Sequence, residues 1–535
     1  YAYNWGKENY YSPFKFTKDW MIIGNILSQS RHYYTPAKFS ASIRFDENDK
    51  RSIQRGNIYE VTKDYSFNMR REVTLKHNFT KTLSSNYTWT NNSNLDKFEN
   101  DKWKIITDID PGLVKFMSEK FNNTYKPDFM KWLNPNITYT STYNWDLNNS
   151  NETHTANIGS ATTFKTQIGL SIQNFIELIY TPENKRKSSK GRGRSSSSSS
   201  TNKNGKKIDI QNPLARLILG KIHSMSSKLR NISSTYTYST SHDYNNIRAD
   251  LDPSYWYRLG LQESPLNGPG ALYDPSLTGS NIVGSSIHKY NRNSKTSTNI
   301  NIIQSVVTSL DFQYDNKLTI STASTTENQS FSYYPLGNRG DKGFPIINWG
   351  ITWTQIEKIW ILDRLFKSIT LKHDFHGEHS TTYTNSVLVN DDYSFSYAPI
   401  IGITSTTKGP NPITIITNYY INQTIINTDE STERNHNDQM SITVTAKKYG
   451  GLKINTFFFR DFYIKNNMNF SLIISYNKDR TLNTPIRVSN IDDFNEHSKS
   501  TAWSFKPEVR YSFTDYISGN FYIIYGVTEN KTTGR

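Results

Sequence analysis

Cysteine is absent from all 535 residues, which excludes disulfides, thiolate nucleophiles and cysteine-ligated metals. No run of about 18 apolar residues occurs and the mean hydropathy is -0.69, so no helix is expected to cross a bilayer. Hydrophobic residues reach only 35%, below the roughly 45–50% of ordinary soluble domains. Catalytic signatures are missing too: there is no phosphate-binding P-loop, no dinucleotide glycine fingerprint, no HExxH and no GxSxG. None of these absences excludes a membrane β-barrel, whose strands are apolar on alternate residues only and whose average hydropathy therefore stays low.

Aromatic residues are plentiful at 14%, with 35 Tyr and 27 Phe. That richness excludes a disordered chain and suits the interfacial girdles of a barrel. Lys and Arg total 62 against 47 Asp and Glu, a net charge of +15. The charge is spread along the chain, as on a solvated surface, apart from one cluster.

The dominant pattern is alternation of apolar and polar residues, the mark of a strand with two unlike faces. It runs through Phe39, Ala41, Ile43 and Phe45; through Val73, Leu75, His77 and Phe79, continuing to Leu83, Tyr87 and Trp89; and through Ile137, Tyr139, Tyr143 and Trp145. It returns at Leu310 to Tyr314, Met440 to Ala446, Met468 to Tyr476 and Trp503 to Phe513. Several runs exceed the five or six residues usual in globular sheets and match the roughly 9–11 needed to cross a bilayer at a tilt. Thr, Ser and Asn fill the alternate positions, as a water-filled interior requires. "KKYGG" (Lys447 to Gly451) and "TDYISGN" (Thr514 to Asn520) read as hairpin turns, so antiparallel neighbours are expected.

Three segments break the two-residue period. Ile106 to Leu133, Pro213 to Leu229 and Ile356 to Phe366 carry apolar residues at helical spacing, and each leads directly into a strand. Residues 185–207, "KRKSSKGRGRSSSSSSTNKNGKK", are expected to form a flexible Ser/Lys/Arg-rich loop. No aromatics interleave its basic residues, so nucleic acid is not an expected partner.

Candidate chemistry is sparse. "HDFHGEH" supplies His373, Asp374, His376, Glu378 and His379. In a strand Asp374, His376 and Glu378 share one face at steps of about 6.6 Å, which makes them a candidate metal cluster. That spacing is loose for closed coordination, and the alternative reading is polar lumen or loop residues. Arg339-Gly340-Asp341 is a tripeptide that chance often produces, and Asp108, Asp110, Asp492 and Asp493 sit where turn capping is the ordinary role. No catalytic residue and no cofactor is expected.

Four stretches carry a family resemblance. "INWGITWTQIEKIWILDRLFKSITLKHDFHGEHSTTY" (Ile347 to Tyr383) is similar to a stretch of the SprA family, called Sov in some members, in which an Asn-Trp strand (Asn348, Trp349), a short helix and a strand entry (Phe366, Lys367, Ser368) follow in order. "NPLARLILGKIHSMSSKLRNISSTY" resembles its "NPL…SxRNIS…Y" segment through Asn212, Pro213, Leu214, Arg230, Asn231, Ile232 and Ser233. "FIELIYTPENK" (Phe175 to Lys185) and "YWYRLGLQESPLNGPGALYDP" (Tyr255 to Pro275) resemble its LY-type strand end and its Tyr-x-Leu-Gly-Leu loop, the latter through Leu259, Gly260 and Leu261. These motifs cover about Tyr139 to Lys372. The Ser195 to Ser200 insertion and the His/Asp/Glu-rich strand depart from the pattern.

The resemblance implies an all-β fold: an antiparallel transmembrane β-barrel with short helical insertions, to which residues 1–535 contribute about 20 strands of a larger barrel. It implies a bacterial outer-membrane protein-conducting channel that exports folded proteins, linked to type IX secretion and gliding motility. Implied partners are secreted cargo proteins with a type IX C-terminal signal domain, a companion outer-membrane barrel, periplasmic plug proteins and outer-membrane lipid. Family members are several times longer, and the chain is read as a piece of such a protein. The alternatives are another outer-membrane barrel, of TonB-dependent or lipopolysaccharide-assembly type, and a secreted all-β adhesin.

Overall fold

The structure is a computed structural model that describes residues 2–4, 10–12, 31–53, 61–127, 132–148, 155–179, 213–229, 231–266, 272–273, 284–336, 344–359, 361–428, 430–449, 452–454, 462–464, 466–484, 495–512 and 517–532. The loop expected over 185–207, the Arg339-Gly340-Asp341 tripeptide, Asn212, Arg230, Asp492 and Asp493 lie outside the described residues.

The period-two segments form strands, and 21 strands among the described residues join one large sheet. β-branched and aromatic residues favour a pleated surface that packs side chains on two faces. The described residues cluster into two compact units, one of Tyr1–Gly169, Thr235–Ser294 and Asn316–Glu327, the other of Leu170–Ser234, Lys295–Asp315 and Asn328–Arg535.

In the first unit an antiparallel meander runs through β1 (Lys38–Ile53), β2 (Val61–Asn78), β3 (Leu83–Asn94), β4 (Leu113–Tyr125) and β5 (Leu133–Asn148). β6 (Thr155–Leu170) and β7 (Ile232–Arg248) follow in the sheet. The run from Val73 to Trp89 is two strands rather than one. Thr80 Oγ1 accepts hydrogen bonds from the backbone N–H groups of Thr82 (3.2 Å) and Leu83 (2.9 Å), closing a hydroxyl turn between β2 and β3.

β8 (Ser285–Ile303) and β9 (Val306–Ser321) lead on to the strands of the second unit: β10 (Phe344–Trp353), β11 (Phe366–Thr384), β12 (Val387–Thr407), β13 (Ile413–Asn427), β14 (Thr432–Lys448), β15 (Met468–Thr484), β16 (Asn495–Ser512) and β17 (Tyr525–Thr532). β11 to β16 pair antiparallel in that order. The described residues on either side of the "TDYISGN" turn are antiparallel neighbours, Ser512 pairing with Ser518, while 513–516 lie outside the described residues. "KKYGG" does not join sheet neighbours directly. Between β14 and its partner β15 the chain inserts a separate two-stranded ribbon, Leu452–Ile454 against Phe462–Ile464.

Helices differ from expectation at two places. Among the described residues of Ile106 to Leu133 only the first are helical, in α1 (Lys104–Thr107). Gly112, at φ +72°, then turns the chain into β4. Its N–H donates to Asp110 Oδ1 at 2.8 Å, and the Lys97 ammonium together with this N–H holds the Asp110 carboxyl below the usual range. The apolar positions 113, 114, 116, 117 and 121 fit either period, and ladder partners on both sides select the strand.

Phe175 falls not in a strand end but in α2 (Ile172–Ile179). Ser171 caps that helix, accepting from Asn174 N–H, and Gln173 hydrogen-bonds Glu177 one turn on (3.0 Å). The other helical segments form as expected: α3 (Pro213–Ser226) precedes β7, while one turn of 3₁₀ helix (Ile356–Lys358) and α5 (Leu362–Leu365) run directly into β11. Glu357 Oε2 accepts from Ile369 N–H (2.8 Å), tying that turn to the strand it feeds.

Candidate functional site

In the second unit the register gathers apolar side chains from successive strands onto one face. Met440, Ile442, Val444 and Ala446 of β14 stand opposite Tyr476, Ile474, Leu472 and Phe470 of β15. Those in turn face Trp503, Phe505, Pro507 and Val509 of β16, and Val527 and Tyr525 of β17 extend the row. On the other flank Tyr419 pairs with both Met440 and Ile401, and Thr417 with Ile442 and Ile403. None of these residues is buried: Ile401, Ile403, Met440, Ile474, Tyr476, Trp503, Phe505, Tyr525 and Val527 are exposed, from 37% at Ile403 to 60% at Tyr525, and the others are half-buried.

From Phe470 to Tyr476 the band is about 20 Å tall at the rise of an antiparallel strand. Tyr419, Tyr476 and Trp503 mark one rim. Just beyond it the same face turns charged: Asp438 pairs with His436 (3.0 Å), Lys478 lies opposite Asp438, and Arg480 pairs with Glu496 (2.8 Å).

The opposite face of these strands is polar. Ser396 Oγ donates to Asn422 Oδ1 (2.5 Å), Asn422 Nδ2 to Asn437 Oδ1 (3.3 Å) and Asn437 Nδ2 to Asn477 Oδ1 (2.8 Å), a side-chain ladder across β12 to β15. Ser475 and Ser504 continue it between β15 and β16 (2.6 Å). Such a ladder satisfies amides that would be costly in an apolar setting.

The residues of the family resemblance are placed as follows. Asn348 is fully buried in β10 and knits three strands: its Nδ2 bonds His376 Nδ1 (2.7 Å) and Asp311 Oδ2 (3.3 Å), and its Oδ1 accepts from Gly377 N–H (2.7 Å). Trp349, on the other face, lies 4.6 Å from the His373 ring. Phe366 is half-buried, whereas Lys367 and Ser368 are exposed. Pro213 and Leu214 begin α3. Asn231 precedes β7, which opens on Ile232 and Ser233.

The candidate metal residues take other partners. Asp374 pairs with Lys372 (2.5 Å), His376 is held by Asn348, and Glu378 occupies the next position on that face. Among the described residues no three His, Asp or Glu side chains gather closely enough to hold a metal ion.

Leu259, Gly260 and Leu261 belong to a strap on the first unit. Ser254 accepts from Trp256 N–H (3.2 Å) to start the single turn α4 (Tyr255–Arg258), and Gly260, at φ +70°, ends it. Leu261 N–H donates to Trp256 O (2.7 Å) and Gly260 N–H to Tyr257 O (2.8 Å), a Schellman closure.

The sheet grips the backbone of this turn. Tyr139 Oη donates to Leu259 O (2.6 Å), Ser141 Oγ to Arg258 O (3.2 Å) and Ser160 Oγ to Tyr257 O (2.6 Å). Tyr257 is fully buried against Tyr143, Ile158, Tyr244 and Ile247, and its hydroxyl donates to His242 O (2.7 Å). Burial pushes that phenol well above its ordinary range and lowers the affinity of the Arg258 guanidinium for its proton. Arg258 is compensated by an ion pair with the buried Glu119 of β4.

A β-carbon at position 260 would overlap Thr162 Cγ2, in a conformation that L residues rarely adopt. Gly260→Ala is therefore expected to cost about 2–4 kcal/mol, the sum of left-handed strain and overpacking. Urea unfolding checks this, with Gly220→Ala in α3, where nothing lies within 4 Å, as a control expected to be neutral or mildly stabilising. Equal midpoints for both variants would refute the steric argument.

Sequence reasoning found the Tyr-x-Leu-Gly-Leu loop but not its partners. Glu119 sat inside an expected helix, which hid its position on the strap-facing side of a strand. Ser254 before and Gly260 after "YWYRL" are the cap signals that mark the turn. No family model matches the chain, and no curated protein matches it.

Proposed function

We propose that the chain forms part of the wall of a bacterial outer-membrane β-barrel, with lipid against its apolar band and water against its polar ladder. The observation that carries this reading is the register of β13 to β17, which aligns partly exposed Ile, Phe, Leu, Trp and Tyr into one belt with an aromatic rim. An apolar belt of about 25 Å flanked by aromatic girdles is the lipid-facing pattern of transmembrane barrels. Strands of 15 to 21 residues in β11 to β16 exceed the roughly 9–11 that cross a bilayer, and their charged ends belong outside it.

The resemblance to SprA narrows the proposal to a protein-conducting channel of the type IX secretion system. Its work is passage rather than reaction: folded cargo with a C-terminal signal domain moves along the Ser-, Thr- and Asn-lined face. A companion barrel and periplasmic plug proteins are the proposed gating partners. Gliding motility then follows from what is exported.

Because the chain has no cysteine, single substitutions report directly on environment. Ser475→Cys in intact membranes is expected to react with a hydrophilic maleimide. Ile474→Cys, one residue away on the other face, is expected to stay unlabelled until detergent or denaturant is added. Equal labelling of both positions in membranes, or a monodisperse chain in detergent-free buffer, would sink the membrane reading and favour a secreted all-β adhesin.

A further inference from the structure

The polar side of the first unit holds a recess with an unusual charge balance. Two adjoining hollows, of about 450 and 560 Å³, share Ser84 and Thr124. Lys38 and Lys76 line one; Lys81 and Lys126 line the other. The other described residues of the lining are Ser, Thr and Asn, together with Tyr33, and no carboxylate is among them.

None of the four lysines has an ion pair or side-chain hydrogen bond among the described residues. Elsewhere in the same unit Lys63, Lys97 and Lys102 each meet a carboxylate, from Glu99, Asp110 and Glu47 respectively. Lys38 and Lys76 also stand directly opposite each other in the β1–β2 register, an arrangement in which like charges repel. Arg70 and Glu72, farther along β2, pair with each other (3.3 Å), and among the described residues no carboxylate pairs with the lysines of the recess.

We infer that this recess binds the carboxylates of an extended acidic polypeptide segment. Lysines are compact point charges that take an oxyanion from many directions, unlike the arginine fork suited to planar recognition of carboxylate or phosphate. The surrounding hydroxyls and amides donate to further carboxylate oxygens. Among the described residues no helix N-terminus, the usual phosphate cradle, opens into the hollows. Tyr33, the one aromatic among the described lining residues, is only 8% exposed and offers no stacking platform for a base. Among the described residues no aliphatic side chain lines the recess to receive an acyl chain.

Spacing favours a peptide as well. Thr74, Lys76 and Asn78 recur at every second residue of β2, and Asn122 and Thr124 do so on β4. The step is about 6.8 Å, which is also the repeat of alternate side chains along an extended peptide. A segment laid along the strands with Asp or Glu at alternate positions keeps its carboxylates in step with these donors. This inference rests on the proposed function for its source of polypeptide, the cargo passing over the polar face.

The test titrates a fluorescein-labelled Glu-Ser-Glu-Ser-Glu-Ser-Glu peptide against the purified full chain in detergent, with the Gln-for-Glu peptide as control and inorganic phosphate as competitor. The expected result is binding of the Glu peptide, at least about ten-fold weaker binding of the Gln peptide, and a loss of about ten-fold in the Lys38→Gln/Lys76→Gln variant. Raising the salt from 0.15 to 1 M shortens the screening length from about 8 to 3 Å and is expected to release the peptide.

Lys38→Glu guards against unfolding as the cause. It replaces the repelling pair by an attracting one, so the thermal midpoint is expected to hold or rise while binding falls. Equal affinity for the Glu and Gln peptides, or unchanged affinity after the double substitution, would overturn the inference. Displacement by phosphate at matched charge concentration would overturn the polypeptide assignment and make this a phosphate site. Peptide binding in a chain whose Ile474→Cys and Ser475→Cys variants label alike would leave the recess standing and remove the conduit.

Discussion

Glu119→Ala is expected to destabilise the first unit by about 3–5 kcal/mol, because it strands the Arg258 guanidinium in a site from which most water is excluded. The side chains of Glu119 and Arg258 are 7% and 17% exposed, and burial already pulls Arg258 toward its neutral form. The Tyr143 and Tyr255 rings, 5.7 and 5.0 Å from the guanidinium carbon, leave little room for hydration to compensate. Replacing both partners, as Glu119→Leu with Arg258→Met, removes both charges together and is expected to recover most of the loss.

Urea unfolding followed by tryptophan fluorescence measures the global effect. Trypsin cleavage after Arg258 reads the local one, because the backbone there is pinned by Tyr139, Ser141 and Ser160 and becomes accessible only when the strap lifts. An unchanged midpoint together with continued protection at Arg258 in Glu119→Ala would show that the pair does not hold the strap.

That coupling also shows where the sequence was legible and where it was not. Alternation located β1, β5, β14, β15 and β16, because each strand has two chemically unlike faces and a one-residue slip would exchange them. It did not locate β4, whose apolar residues fit both periods until β3 and β5 supply ladder partners. The hydroxyl turn at Thr80 was missed for a related reason: Thr belongs equally to strands and to turns, and only the return of β3 against β2 decides.

The candidate site was legible in outline only. Strand residues quoted for the family resemblance were found where a strand was expected, yet the role of Asn348 as a bridge among Asp311, His376 and Gly377 depends on which strands are neighbours. Sequence adjacency made Asp374, His376 and Glu378 look like a ligand set. Cross-strand neighbours give Asn348 to His376 instead, and the same amide donates to Asp311. The lysine recess was invisible for the same reason, because Lys38, Lys76, Lys81 and Lys126 span four elements and converge only through register.

Ile474→Arg separates the membrane reading from a soluble one by the sign of a comparison. Ile474 lies inside the belt between Ile442 and Phe505. If lipid covers it, the substitution is expected to cost about 2–4 kcal/mol, as for a cation near the bilayer midplane. Ser475→Arg, on the polar face, is expected to cost less than about 1 kcal/mol, because its charge stays in water. If the belt is instead an ordinary water-exposed surface, partly exposed Ile474 tolerates arginine to within about 0.5 kcal/mol, while Ser475→Arg loses the bond to Ser504 and becomes the costlier change. Urea titrations of both variants folded into liposomes give the two differences directly. The order of the two costs is decisive even where absolute values shift with lipid composition, since both residues occupy the same strand at the same depth.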